Sequence, residues 1–181
     1  MHFIIDTIDL KNLLSKLQSA VASKVPVPIL SNIHLQAINN ELIATVTDLN
    51  LGIQCIAPAK IRREGSTTIP VRQFYSLTKE LTAPILEIAT TENDITHLKA
   101  NASQFTLNGL SSRDYPSLPD LTGSLCLTLE QSELRKMFAS TSFAISKEDN
   151  RYVLTGLCMT IEGDTASFTA TDGKRLARRS E

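Results

Sequence analysis

Residues 124 positions apart in this chain match in kind over a long stretch. Leu10 falls on Leu134, Leu13 on Met137, Leu14 on Phe138, Ala20 on Ala144 and Val21 on Ile145. With no gap, the same offset sets Leu30 on Leu154, Ile33 on Leu157, Leu35 on Met159, Thr47 on Thr171 and Asp48 on Asp172. Asn39-Asn40 lies over Gly163-Asp164, so turn positions keep the register as well. Identities along the whole stretch are few. The constraint lies in the shared register of apolar and turn positions, which marks a repeated supersecondary unit. The first copy runs to about Gly123, so the expected domains are 1–123 and 124–181. The second stops at Glu181, halfway through the repeat, and reads as the first half of a truncated domain.

A shorter repeat lies inside the first copy. Phe3 to Asp6 reads as a strand, and Leu10, Leu13, Leu14, Leu17 and Val21 then recur at helical spacing behind Asp9 as N-cap. Pro26 and Pro28 forbid helix and imply extended chain. Ile33 and Leu35 alternate as a strand, Asn39-Asn40 supplies a hairpin turn, and Leu42 to Thr47 returns. Asp48-Leu49-Asn50 turns again into Leu51 to Ala57. The order then repeats, with a strand at Thr67 to Pro70 and a helix carrying Phe74, Leu77, Thr78 and Leu81 on one face. Strands follow at Ile85 to Thr90, Ile95 to Ala100 and Gln104 to Leu110. The expected class is α+β, built of β-α-β-β-β halves.

Composition narrows the function. The chain has 181 residues with 18 Lys+Arg against 19 Asp+Glu, a formal charge of −1. At 42 % apolar and 20 % charged residues it has the makings of a globular core. No apolar run approaches the ~18 residues of a membrane span. Met1-His2-Phe3-Ile4-Ile5-Asp6 has no basic segment ahead of an apolar block, so no signal peptide is visible and a cytoplasmic location is expected. Cys55, Cys126 and Cys158 show no CxxC spacing and read as reduced, small apolar strand residues.

Catalytic patterns are missing. His2, His34 and His97 lie far apart without convergent partners for a metal or a triad. Asp48-Leu49-Asn50-Leu51-Gly52 lacks the sixth-position Gly and twelfth-position Glu of a calcium loop and is a turn. No glycine-rich phosphate cradle, HExxH or GxSxG occurs. The cations are more informative. Arg72 and Lys79 are seven apart and share a helix face opposite Phe74, Leu77 and Leu81. Lys11 and Lys24 attend the first helix, and Arg135 and Lys136 the third. Cations on the outer side of every helix of a near-neutral chain would show phosphate one face only. The tail Thr171-Asp172-Gly173-Lys174-Arg175-Leu176 reads either as a plain hairpin or, with Leu154 on a paired strand, as the lip of an apolar pocket.

These stretches resemble the β subunits of bacterial DNA polymerase III, the β sliding clamps. The likeness rests on Pro28 to Asn32 through Thr47-Asp48-Leu49, on Ile69-Pro70-Val71-Arg72-Gln73-Phe74, and on Asp114 to Leu118. Most specific are Arg151-Tyr152-Val153-Leu154-Thr155-Gly156 and Ala170-Thr171-Asp172-Gly173-Lys174-Arg175-Leu176-Ala177. The resemblance covers essentially the whole chain. It implies the DNA-clamp fold, with helices on one side of antiparallel sheets, and a head-to-tail dimeric ring of three-domain subunits around duplex DNA. By the same resemblance, Lys24, Arg72, Glu148, Tyr152 and Val153 match DNA-contacting positions. Leu154, Thr171, Gly173, Lys174, Arg175 and Leu176 match a pocket for the clamp-binding motif of the polymerase III catalytic subunit, the clamp loader and other partners. Gln73, Leu77, Leu81, Phe105 and Leu107 match the dimer interface. Lys174 stands where the family often has His, Val153 where a second aromatic is common, and Glu148 where a neutral amide is common. The implied role is a non-catalytic processivity factor needing no cofactor. A stand-alone sheet-based interaction module without nucleic acid is the alternative reading.

Overall fold

The structure, a computed structural model, describes residues 1–21, 27–119, 128–148 and 152–181. The chain divides into two units, Met1–Asp120 and Leu121–Glu181. Lys24, Pro26, Cys126 and Arg151 lie outside the described residues.

The first unit opens with β1 (His2–Asp6) and helix α1 (Thr7–Leu17). Leu10, Leu13, Leu14 and Leu17 form the buried stripe of α1, as their spacing predicts. The cap is Asp6 rather than Asp9, and its carboxylate makes no capping bond. Thr7 fixes the start instead, donating its N–H to Pro84 O at 2.9 Å and its hydroxyl to Ala83 O. Asp9 then falls in the first turn, where a carboxylate meets the positive end of the helix. Pro28–Ser31 is a 3-10 turn with proline at its start, not the extended chain that two prolines suggested.

Strands β2 (Asn32–Ile38), β3 (Glu41–Thr47) and β4 (Gly52–Pro58) follow, then β5 (Lys60–Arg63) and β6 (Gly65–Pro70). The β2–β3 hairpin turns through Asn39 and Asn40 at φ 51° and 61°, the paired positive φ of a type I′ turn. Helix α2 (Val71–Glu80) precedes β7 (Ile85–Thr90), β8 (Ile95–Ala100) and β9 (Ser103–Asn108). The halves are not self-contained. β1 leaves its own half to pair antiparallel with β7, giving the sheet order β5-β1-β7-β8-β9. β6 likewise pairs with β2, giving β4-β3-β2-β6. The short strand β5, absent from the sequence-based reading, covers the outer edge of β1.

Both sheets turn apolar faces to the same two helices. Phe3, Ile5, Leu86 and Ile88 from one sheet and Ile33, Leu35, Leu42 and Ile69 from the other meet α1 and Phe74 of α2 in one continuous cluster. Arg72, Gln73 and Lys79 of α2 are exposed on the side away from it. A second, small cluster joins Ile29, Leu30 and Tyr115. The Tyr115 hydroxyl accepts the Thr47 N–H at 3.2 Å and lies within donor reach of Asn32 O at 3.2 Å. Its ring stacks on His34, centroids 5.4 Å apart.

The second unit contains α3 (Gln131–Thr141), β10 (Cys158–Glu162), β11 (Thr165–Thr171) and β12 (Leu176–Ser180). Its elements reproduce those of the first at the 124-residue offset. α3 matches α1, and β11 matches β3, residue for residue; the 3-10 turns Gln18–Ala20 and Ser142–Ala144 coincide too. Met137, Ala166 and Phe168 form its core, with the Phe138 ring edge-on to Phe168 at 4.9 Å. Cys158 is exposed on β10, contrary to the expectation of a packed strand cysteine, whereas Cys55 is half-buried against the first core. β10 is exposed along its whole length, whereas β4, an edge strand too, packs Cys55 against the first core.

Replacing Tyr115 by Phe keeps the ring and strands the buried Thr47 N–H. The expected loss is about 1–2 kcal/mol, read from the urea midpoint. A second outcome concerns pH. Burial holds the His34 imidazole below the ordinary histidine value of 6.5. The unfolded chain therefore binds a proton first as pH falls, so stability is full above about 6.5 and declines below it. Urea titrations of the wild type and of His34→Gln should diverge in that direction; parallel pH profiles would refute the assignment.

Candidate functional site

The tail segment of the second unit is a tightly bonded turn between β11 and β12. The Asp172 carboxylate accepts the Lys174 and Arg175 N–H groups at 2.9 and 3.0 Å, and Thr171 Oγ1 accepts the Gly173 N–H at 3.1 Å. Thr171 Oγ1 in turn donates to Arg175 O at 2.7 Å. Gly173 sits at φ 86°, where a side chain would be strained. These backbone donors, with the Arg175 side chain, hold the Asp172 carboxyl below the usual carboxylate range.

Arg175 is positioned rather than free. Its Nε donates to Asp172 Oδ2 at 3.0 Å, its Nη2 to Phe143 O at 2.8 Å, and its guanidinium lies 5.7 Å from the centre of the Phe143 ring. Leu176, the next residue, is 66 % exposed. The turn thus gathers Thr171, Gly173, Lys174, Arg175 and Leu176 around one carboxylate. Leu154 comes from a 3-10 turn, Tyr152–Leu154, not from the paired strand expected of it. Its carbonyl accepts the Ser146 N–H at 2.9 Å, so the stretch 143–146 is tied both to Leu154 and to Arg175. Phe143, 59 % exposed, was missed by sequence reasoning. A surface aromatic just past a helix carried no pattern that distinguished it from core.

The first unit holds the same turn. Asp48 Oδ1 accepts the Asn50 and Leu51 N–H groups at 2.9 and 2.7 Å. Thr47 Oγ1 accepts the Leu49 N–H at 3.0 Å and donates to Leu51 O at 3.0 Å. Leu49 takes the place of Gly173 at φ 76°.

The residues matched to DNA contact lie on open surface. Tyr152 and Val153 are 84 % and 91 % exposed, Arg72 is exposed on α2, and Glu148 is exposed after the Ser146 turn. Lys24 lies outside the described residues. Those matched to a dimer interface are graded: Gln73 is exposed, Leu77, Leu81 and Phe105 are half-buried against the core, and Leu107 is buried. Among the described residues no group of three His, Cys, Asp or Glu side chains could hold a metal. No described helix is long and apolar enough to cross a membrane.

Comparison with known proteins places both units. The model of the DNA polymerase III beta subunit N-terminal domain matches residues 1–119, and that of the central domain matches 128–181. The beta sliding clamp of Chlamydia muridarum is 39 % identical over 178 residues, 98 % of this chain and 49 % of the relative. That of Pseudomonas aeruginosa is 33 % identical over 98 % of this chain and 48 % of its own length. The solved DNA polymerase sliding clamp from Bacillus subtilis superposes with a TM-score of 0.96 at 28 % identity, covering all of this chain and 50 % of that one. The Pseudomonas aeruginosa DNA polymerase III subunit beta gives 0.94 at 33 %, with the same coverage. The chain spans about half the length of the curated relatives it matches. With a fold and two successive domain models in agreement, it belongs to the bacterial DNA polymerase III beta subunit family, the beta sliding clamps.

Proposed function

We propose that this chain supplies the N-terminal portion of a non-catalytic processivity clamp, a first domain at 1–123 and the first half of a second at 124–181. In that reading the complete subunit pairs head to tail into a cytoplasmic ring around duplex DNA and ties the replicative polymerase to it. The observation that carries the reading is the family match through both units in succession. A closed ring cannot leave DNA sideways, so its contacts can be weak and still retain it, and weak phosphate contacts permit sliding. A polymerase held by such a ring gains effective concentration at the primer end rather than tighter binding.

Arg72, with Lys24, Tyr152, Val153 and Glu148, is the proposed DNA-facing set. The exposed side of α2, where Arg72 stands away from the core, supports it. In the full-length subunit, Lys24→Ala with Arg72→Ala should weaken retention on DNA. The slope of log K against log salt should fall by roughly one for each phosphate no longer neutralised. An unchanged slope in a filter-binding titration would remove these two residues from the interface.

Leu154, Thr171, Gly173, Lys174, Arg175 and Leu176 are the proposed peptide site for the catalytic subunit, the clamp loader and other motif-bearing partners. The exposed Leu176 offers an apolar anchor, and the turn holds Arg175 ready for polar groups of an extended peptide. Leu176→Ala or Arg175→Ala in the full-length subunit should each weaken a clamp-motif peptide by about 1–3 kcal/mol, measured by calorimetry. Arg175→Ala should cost more than Leu176→Ala, because it also frees Phe143 O and Asp172. Peptide affinity indifferent to both changes would refute the site. Gln73, Leu77, Leu81, Phe105 and Leu107 are the proposed dimer contacts; the half-buried apolar members at the end of α2 and on β9 support that role.

A further inference from the structure

The first turn of α1 opens onto a groove of about 460 Å³ that the proposed DNA, peptide and dimer contacts leave unused. Ile5, Pro58, Ala59 and Ile85 give it apolar walls, and Ile85 is half exposed there. Asp6 and Asp9 place two carboxylates on it, with Lys60 as its cation. The groove adjoins Asn40, at the opposite end of the seven-residue strand β3 from the Thr47-Asp48 turn, roughly 20 Å away.

The repeat shows what such a carboxylate takes. Glu133 of α3 matches Asp9 at the 124-residue offset and is held by Lys136 Nζ at 2.6 Å and Arg179 Nη2 at 3.5 Å. The first-unit residues that match those cations are Asn12 and Cys55, which carry no charge. Lys11 is committed to Leu81 O at 2.8 Å, and Lys60 pairs with neither carboxylate. Among the described residues the Asp6 and Asp9 carboxylates have no hydrogen-bond or ion-pair partner. The second unit therefore satisfies internally a charge that the first presents beside an apolar groove.

We propose that this groove docks a partner-protein segment that seats an apolar side chain between Pro58 and Ile85 and brings an arginine to Asp9 and Asp6. The inference does not depend on the peptide site of the second unit. Its chemistry differs as well. The second-unit turn offers a guanidinium, whereas this groove asks for one.

The test is an NMR titration of the whole chain with a peptide of about ten residues bearing alternating Leu and Arg in a Gly-Ser frame. Shifts confined to residues 4–9, 40, 58–60 and 85 are expected, with no response to the same peptide carrying Glu in place of Arg. Asp6→Asn with Asp9→Asn should weaken binding about tenfold, and Ile85→Ser severalfold. Asn12→Lys, which lines no part of the groove, should also weaken it by giving Asp9 the partner that Lys136 gives Glu133. Asp6, Asn12 and Ile85 are exposed, so thermal melting should show all variants folded. Equal binding of the Glu peptide, shifts elsewhere on the chain, or indifference to the double Asn variant would overturn the proposal. Self-association of the chain that the double Asn variant abolishes would also overturn it, by assigning the groove to a second copy.

Discussion

Everything in the first unit depends on one arrangement: two helices shared by two sheets. The leucines of α1 are buried over β3 and β4 of its own half and against α2. β1 and β6 exchange halves, so that each sheet holds one strand from the other half of the repeat. The exchange closes a single cluster from Met1 to Leu107 and makes the two halves interdependent. It also sets the polarity of the unit. Once both sheets claim the apolar helix faces, Arg72, Gln73 and Lys79 have only the outside left to them.

Repeat logic made much of this legible. Leucine spacing located α1, and the 124-residue register located α3 and β11 by analogy, where local signals were weaker. The exchange of β1 and β6 was not legible. A strand's apolar pattern states that one face is buried but is silent about its partner, because ladder bonds use backbone that every residue shares. The same limit hid β5, whose residues Lys60, Ile61, Arg62 and Arg63 look like a charged loop and are strand only because β1 offers an edge. Asp9 was mistaken for the cap because the true start depends on carbonyls of Ala83 and Pro84, far away in sequence.

The candidate sites divide along the same line. Thr171 through Leu176 could be read because the chemistry of the turn is local. Phe143 could not, since its part is to meet Arg175 from a separate segment. The Asp6–Asp9 groove escaped notice for a related reason. Each carboxylate alone is an ordinary helix-start residue, and only comparison with the paired Glu133 reveals that the first unit lacks the matching cations.

The twin turns separate cause from consequence in a way neither alone allows. Glycine at position 173 invites the explanation that glycine makes the turn, since φ 86° is open to it. Leu49 removes that explanation, holding φ 76° in the same bonding pattern at a cost of about 1 kcal/mol or more. What the two turns share is a threonine hydroxyl that accepts one backbone N–H and donates to a carbonyl, and an aspartate that accepts two more. Four bonds from two side chains over-determine five residues of backbone, so the threonine and aspartate specify the geometry and the third residue only adapts to it. The remaining positions of the turn are thereby released from structural duty. That freedom lets one copy display Asn50 and Leu51 where the other displays Lys174 and Arg175, on the same scaffold.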